Sequence, residues 1–348
     1  MFGKLMNRYY YGKSGKGDYT PEDLPKNRWQ LFWEMLRVRF SSLVKLNLLY
    51  MLAWIPVMIV LGLGITAALS QLTEVSTVMM QVEAGEALQS DLDAVTGSMR
   101  NSLLGLLSTT LLLLWPAVAI TGPFTCGVCY VTRNWARDEH SFMMSDYWQA
   151  VKENWKTALP CSIITGVVPF MMYVCVSFYG QMAKQNMFFI VPEILTIMMG
   201  LLWMCATLYM YPQMVTYKLN LRGIIRNSFL MTLGRLPHTA GIKLLSFLPT
   251  VILLAVLILF GGGNVIVISL LIYAAYYIVI GFALSRFVAA SFTNGVFDLY
   301  LNSKIEGAQT GRGLYVETDD DSDENENEMN HEEMTNLQDS EQRNDAEQ

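Results

Sequence analysis

From residue 46 onward the chain alternates long apolar runs with short polar segments, and the lengths of those runs set the architecture. No charge interrupts residues 46–73, whose sequence opens LNLLYMLAWIPVMIVLGLGITAAL. That exceeds the roughly 20 residues a helix needs to cross about 30 Å of hydrocarbon. Runs of this kind predict spans at about 46–70, 102–123, 158–183, 188–217, 244–260 and 264–284. The expected fold class is therefore all-α, a polytopic membrane protein of about six transmembrane helices with interfacial amphipathic helices on the cytoplasmic side.

The polar segments carry their own periodicity. Trp29, Phe32, Trp33, Leu36, Phe40 and Leu43 recur at helical spacing, with Glu34, Arg37, Arg39 and Lys45 opposite, so an amphipathic helix leads into the first span and lies on lipid or on neighbouring protein. Residues 71–101 are acidic and helically patterned, which predicts an outer hairpin prolonging the first two spans. Gly261, Gly262, Gly263 and Asn264 leave room only for a tight turn between the last two. Each odd-numbered span follows a polar amphipathic stretch and holds one proline, Pro56, Pro169 or Pro249, a pattern reminiscent of three stacked helix-plus-hairpin units.

Charge fixes the expected orientation. Of 24 Lys and Arg, 22 fall on one side of a six-span topology, so the positive-inside rule places both termini in the cytoplasm. The acidic balance of the whole chain comes from its end: 14 of the 30 Asp and Glu lie in residues 317–347. Residues 1–45 read as a basic arm plus interfacial helix, 286–312 as a cytoplasmic juxtamembrane segment, and 313–348 as a disordered acidic tail. The tail's spacing does not match an EF-hand loop. Five cysteines, an odd number in or beside apolar runs, imply no disulfide framework.

Residues 122–159, GPFTCGVCYVTRNWARDEHSFMMSDYWQAVKENWKTAL, hold a helix-breaking pair, a charged loop and an amphipathic stretch in succession. Gly122 and Pro123 predict a helix break whose freed carbonyl needs a partner, from a neighbouring helix or from a bound ion or solute. Pro56, Pro169 and Pro249 are the other expected breaks. Cys126 and Cys129 form a CxxC, but no second pair or strand pattern accompanies it, which favours two small buried residues over redox or zinc chemistry. Asp146 reads as an N-cap with Gln149 three residues on, and the Trp-rich stretch beyond it is expected to run along the membrane before re-entry. Candidate interface residues are Trp29, Trp33, Arg133, Arg137, His140, Asp146, Trp148, Trp155, Arg222 and Arg226.

This segment, with LNLLYMLAWIPV upstream and YPQMVTYKLNLRGIIRNSFLMTLGRLP downstream, resembles the YesL-like family of bacterial membrane proteins, a domain of unknown function. The likeness covers roughly residues 28–248. It implies bacterial origin, a plasma-membrane location and association with carbohydrate uptake systems, and it brings no catalytic residues.

The three histidines lie in loops or the tail, and no predicted span holds an acid or base at its centre, which argues against an enzyme, a proton relay or an ion-coupled carrier. No catalytic residue, cofactor, metal ligand or nucleic-acid partner is expected; the lipid bilayer is. The leading expectation is a non-enzymatic accessory or assembly partner of a membrane complex, a transporter among them. The alternative is a permease or lipid-handling protein for a neutral solute.

Overall fold

A computed structural model describes residues 25–85, 88–260 and 263–314. The basic arm, the acidic tail from residue 315 and the Gly261–Gly262 part of the expected turn lie outside them. The chain is an all-α, multi-pass membrane protein: six helical stretches are long and apolar enough to cross a bilayer, and no strand occurs among the described residues.

Helix α1 (Arg28–Val38) starts at Asn27, whose side chain accepts the Gln30 N–H, and buries Leu31 and Met35. At Arg39 the chain turns into α2 (Phe40–Glu83), which pairs with α3 (Gln89–Trp135). At 1.5 Å per residue the 44 residues of α2 reach about 66 Å, well beyond one hydrocarbon core. Within residues 71–101, α2 continues to Glu83 and α3 begins at Gln89, and Gly85, at φ +76°, takes the left-handed conformation just beyond the end of α2.

Helix α4 (Met143–Ala183) differs from expectation. The Trp-rich stretch and the third span form one helix of 41 residues, so the stretch continues the span's axis instead of running separately along the membrane. Two prolines, Pro160 and Pro169, lie inside it and neither ends it. Helices α5 (Ile190–Thr216), α6 (Leu221–Gly234), α7 (Leu236–Phe260) and α8 (Gly263–Tyr276) follow. A π-helical turn at Tyr277–Gly281 then leads into α9 (Phe282–Tyr300). Residues 286–300 of the expected juxtamembrane segment thus belong to α9. Phe287, Ala289, Ala290, Thr293, Val296 and Phe297 of α9 are buried.

The buried side chains concentrate at the basic end of the bundle. Leu43, Leu46, Tyr50, Val128, Val131, Trp135, Tyr147, Ala283 and Phe287 form one cluster there, and Cys126, Cys129, Cys161, Ala206 and Met210 form another. The far ends of α2, α3, α7 and α8 leave their Leu, Ile and Val exposed. Lipid tails solvate such side chains as well as protein does, so helices have no hydrophobic reason to pack there. Close packing happens where small and polar residues allow it. Gly122, Gly127, Thr125, Thr132, Ser162 and Gln213 all stand at the basic end.

Candidate interaction site at the basic end

Helices α3 and α4 approach each other closely where they cross. A Cβ added at Gly122 would lie 2.3 Å from Ser162 Oγ and 2.7 Å from the Ala158 carbonyl oxygen; one added at Gly127 would lie 2.9 Å from the Tyr147 carbonyl oxygen. That approach resolves the expected break at Pro123. Proline lacks an N–H, so the carbonyl four residues back, Ala119, loses its helical donor. Ser162 Oγ donates to that oxygen at 2.6 Å. The partner is the neighbouring helix, and α3 continues to Trp135. Pro56, Pro169 and Pro249 likewise sit within continuous helices, so none of the five expected positions ends a helix.

The interruption that does occur carries no proline and was not legible in the sequence. Asn47, fully buried on α2, faces the π turn between α8 and α9. Its Nδ2 donates to the Tyr277 and Ile278 carbonyls at 2.9 and 2.7 Å, and its Oδ1 accepts the Ala283 N–H at 2.9 Å. A π turn sets the helical ladder one residue out of step, and one side-chain amide takes up the groups left over. The available signal was Asn47 itself, a strongly polar residue at the head of the apolar run LNLLYMLAW.

Cys126 and Cys129 are buried and free, as is Cys161; Cys161 Sγ lies 3.4 Å from Met210 Sδ and Cys126 Sγ 3.9 Å from Met214 Sδ. The Arg286 guanidinium stands 5.9 Å from the centre of the Tyr211 ring, and Lys243 Nζ donates to Thr207 Oγ1 at 3.0 Å. Both cations lie inside helices long and apolar enough to cross a bilayer, just beyond the expected spans 244–260 and 264–284. Each stands just outside an expected span, and the packing of α5 against α7 and α9 encloses them.

The charged loop after α3 is part of the scaffold. Glu139 meets three cations, Arg312 at 2.5 Å, Arg137 at 3.5 Å and Arg133 at 3.9 Å. Arg133 also donates to the Val215 carbonyl at 3.1 Å and lies over the Tyr130 ring, tying α3 to the end of α5. Arg28 pairs with Asp298, whose carboxylate also accepts the Gly311 N–H. Asp138 adopts φ +54°, and burial pushes its carboxyl above the usual range, an effect that Arg39 opposes. Asp146 is not the N-cap. The helix starts at Met143, and the carboxylate reaches back from the first turn to accept the Phe142 N–H at 2.9 Å and the Ser141 hydroxyl at 2.7 Å. Gln149 bonds to Glu153 instead of closing a capping box.

Residues 101–175 match a family model described as "Protein of unknown function, DUF624". The matched stretch covers most of the α3–α4 pair, from Asn101 of α3 through the crossing at Gly122 to beyond Pro169. No curated protein and no solved structure matches the chain.

Around this core the remaining interface residues point outward. Trp29 is 68% exposed, and Trp33, edge-on to it at 5.6 Å, is also exposed. Trp148 packs its edge against Phe124, and Trp155 lies beside Lys156; both indoles are exposed. Arg222 and Arg226 occupy the open side of α6, whose other side buries Ile224, Ser228 and Met231. His140 is exposed against the Phe142 ring. The candidate residues therefore divide: Arg133, Arg137 and Asp146 hold the chain together, while the tryptophans, Arg222, Arg226 and His140 remain free to meet something else.

Proposed function

We propose that this protein is a non-enzymatic accessory of a bacterial plasma membrane, with both termini cytoplasmic, that docks a partner membrane complex through its basic end. The orientation is supported by the one-sided distribution of Lys and Arg. The docking role is supported by one observation above all. At this end the groups that resemble a reactive cluster are consumed in internal pairs, whereas Trp148, Trp155, Arg222 and Arg226 face outward from a rigid support. Aromatic and arginine side chains of this kind dominate protein interfaces. The resemblance to the YesL-like family points to a carbohydrate uptake system as the partner. Affinity purification of the full chain in mild detergent tests the reading. A sugar-transport subunit is expected with the native chain and should be lost when Trp148→Ala and Trp155→Ala are combined with Arg222→Glu and Arg226→Glu. Recovery of no membrane partner above background overturns the reading.

A further inference from the structure

A groove of about 810 Å³ opens between α1, α7 and α9. Its walls are mostly apolar, with Ile242, Leu245 and Leu248 from α7 facing Leu284, Val288 and Phe292 from α9. Its two ends differ chemically. Arg28, Arg235 and Trp29 line the end beside Gly295, Phe32 and Trp33 follow at the level of Phe287, and Pro249, Tyr276 and Leu284 line the other end.

The cationic end is built. Gly295 leaves room for Arg28 to lie across α9, since a Cβ there would come within 3.2 Å of Arg28 Cδ. Nη2 of Arg28 pairs with Asp298, but Nη1 is buried without a hydrogen-bond partner. Arg235 stacks on the Tyr300 ring, 5.4 Å to its centre, and its Nε donates to the Tyr300 hydroxyl at 3.3 Å. Among the described residues no carboxylate pairs with Arg235. With Arg28 neutralised by Asp298, the mouth of the groove keeps one uncompensated positive charge.

Length discriminates among occupants. From Arg235 to Pro249 along α7 is 14 residues, about 21 Å at 1.5 Å per residue. One leaflet contributes about 15 Å of hydrocarbon, half of a 30 Å core, and the remainder reaches headgroup level. The Trp29 indole, next to Arg28 in the chain and edge-on to Trp33, matches that depth, where tryptophan gathers in membrane proteins. A slot with a positive mouth, an aromatic collar and an apolar floor one leaflet deep fits an amphiphile with an anionic head. We infer that the groove is a binding site for one anionic phospholipid, its phosphate against Arg235 and Arg28 and an acyl chain between α7 and α9. This goes beyond the docking role and stands whether or not a protein partner exists.

Native mass spectrometry of the full chain in detergent tests it, with phosphatidylglycerol or phosphatidylcholine of the same acyl chains added. One phosphatidylglycerol is expected to be retained in preference to phosphatidylcholine. Arg235→Gln should lower that retention about fivefold, the worth of one cation beside an anionic headgroup, while Arg235→Lys should keep most of it. Val288→Trp, which fills the apolar slot between α7 and α9, should lower retention of both lipids, with the thermal unfolding of each variant confirming the fold. Equal retention of the two lipids by the native chain overturns the inference, as does retention unchanged in Arg235→Gln. A dimer or an intramolecular cross-link from residue 288 to the acidic tail assigns the groove to a second copy or to the chain's own end, and overturns it equally.

Discussion

Replacing Asn47 isolates a single buried group with three backbone partners. Asn47→Leu keeps the branched skeleton and removes both donors and the acceptor, leaving the Tyr277 and Ile278 carbonyls and the Ala283 N–H without that amide. Hydrogen bonds between membrane helices average about 0.6 kcal/mol and reach about 1.7. Three of them, with backbone groups stranded in an apolar surround, give an expected loss of about 2–4 kcal/mol. Asn47→Asp should cost at least as much, because carboxylate oxygens would face two carbonyls. Denaturation by sodium dodecyl sulfate in mixed micelles, followed by tryptophan fluorescence, measures the loss. Hydrogen exchange adds a local readout, since the Ala283 amide should lose protection in Asn47→Leu. A cost below about 0.5 kcal/mol, or an unchanged Ala283 amide, would refute the claim that Asn47 holds the π turn.

Gly122→Ala should cost about 2–3 kcal/mol in the same assay, because its methyl meets the Ala158 carbonyl and only a shift of α3 or α4 relieves it. Ser162→Ala strands the Ala119 carbonyl and should cost about 1–2 kcal/mol, less than Gly122→Ala. Glu139→Gln removes the charge shared by Arg133, Arg137 and Arg312 and should cost about 1–2 kcal/mol at low salt, shrinking as ionic strength rises; a salt-independent loss would contradict the ion-pair account. Asp138 adds a pH dependence. A carboxyl raised above its ordinary value of 3.8 contributes stability that is complete below that value and lost as pH rises through the raised one. Asp138→Asn should therefore be more stable than the native chain at neutral pH and less pH-sensitive between pH 4 and 7, and the left-handed backbone at φ +54° suits Asn equally well. Equal pH profiles for the two proteins would remove that reading.

Apolar run length determined most of the fold before any coordinates. A helix must satisfy its own backbone in hydrocarbon, so a charge-free run of 20 or more residues has few other options, and six stretches qualify. The partner required by a proline-freed carbonyl was also readable, because it follows from a local rule, whereas the close α3–α4 approach at Gly122 and Gly127 was not. Tertiary structure decided what those rules leave open. It named Ser162 as the Ala119 partner, kept every span continuous through its prolines, and put the interruption at a π turn that no local residue announces. It drew Arg286 and Lys243 into the bundle, and it consumed the charged loop in internal pairs while leaving the α4 tryptophans facing outward. The reason is physical. Spans are set by transfer of each segment into lipid, a property of that segment alone. Which polar groups meet depends on where helices more than 200 residues apart in sequence come into register, as Asn47 and Ala283 do.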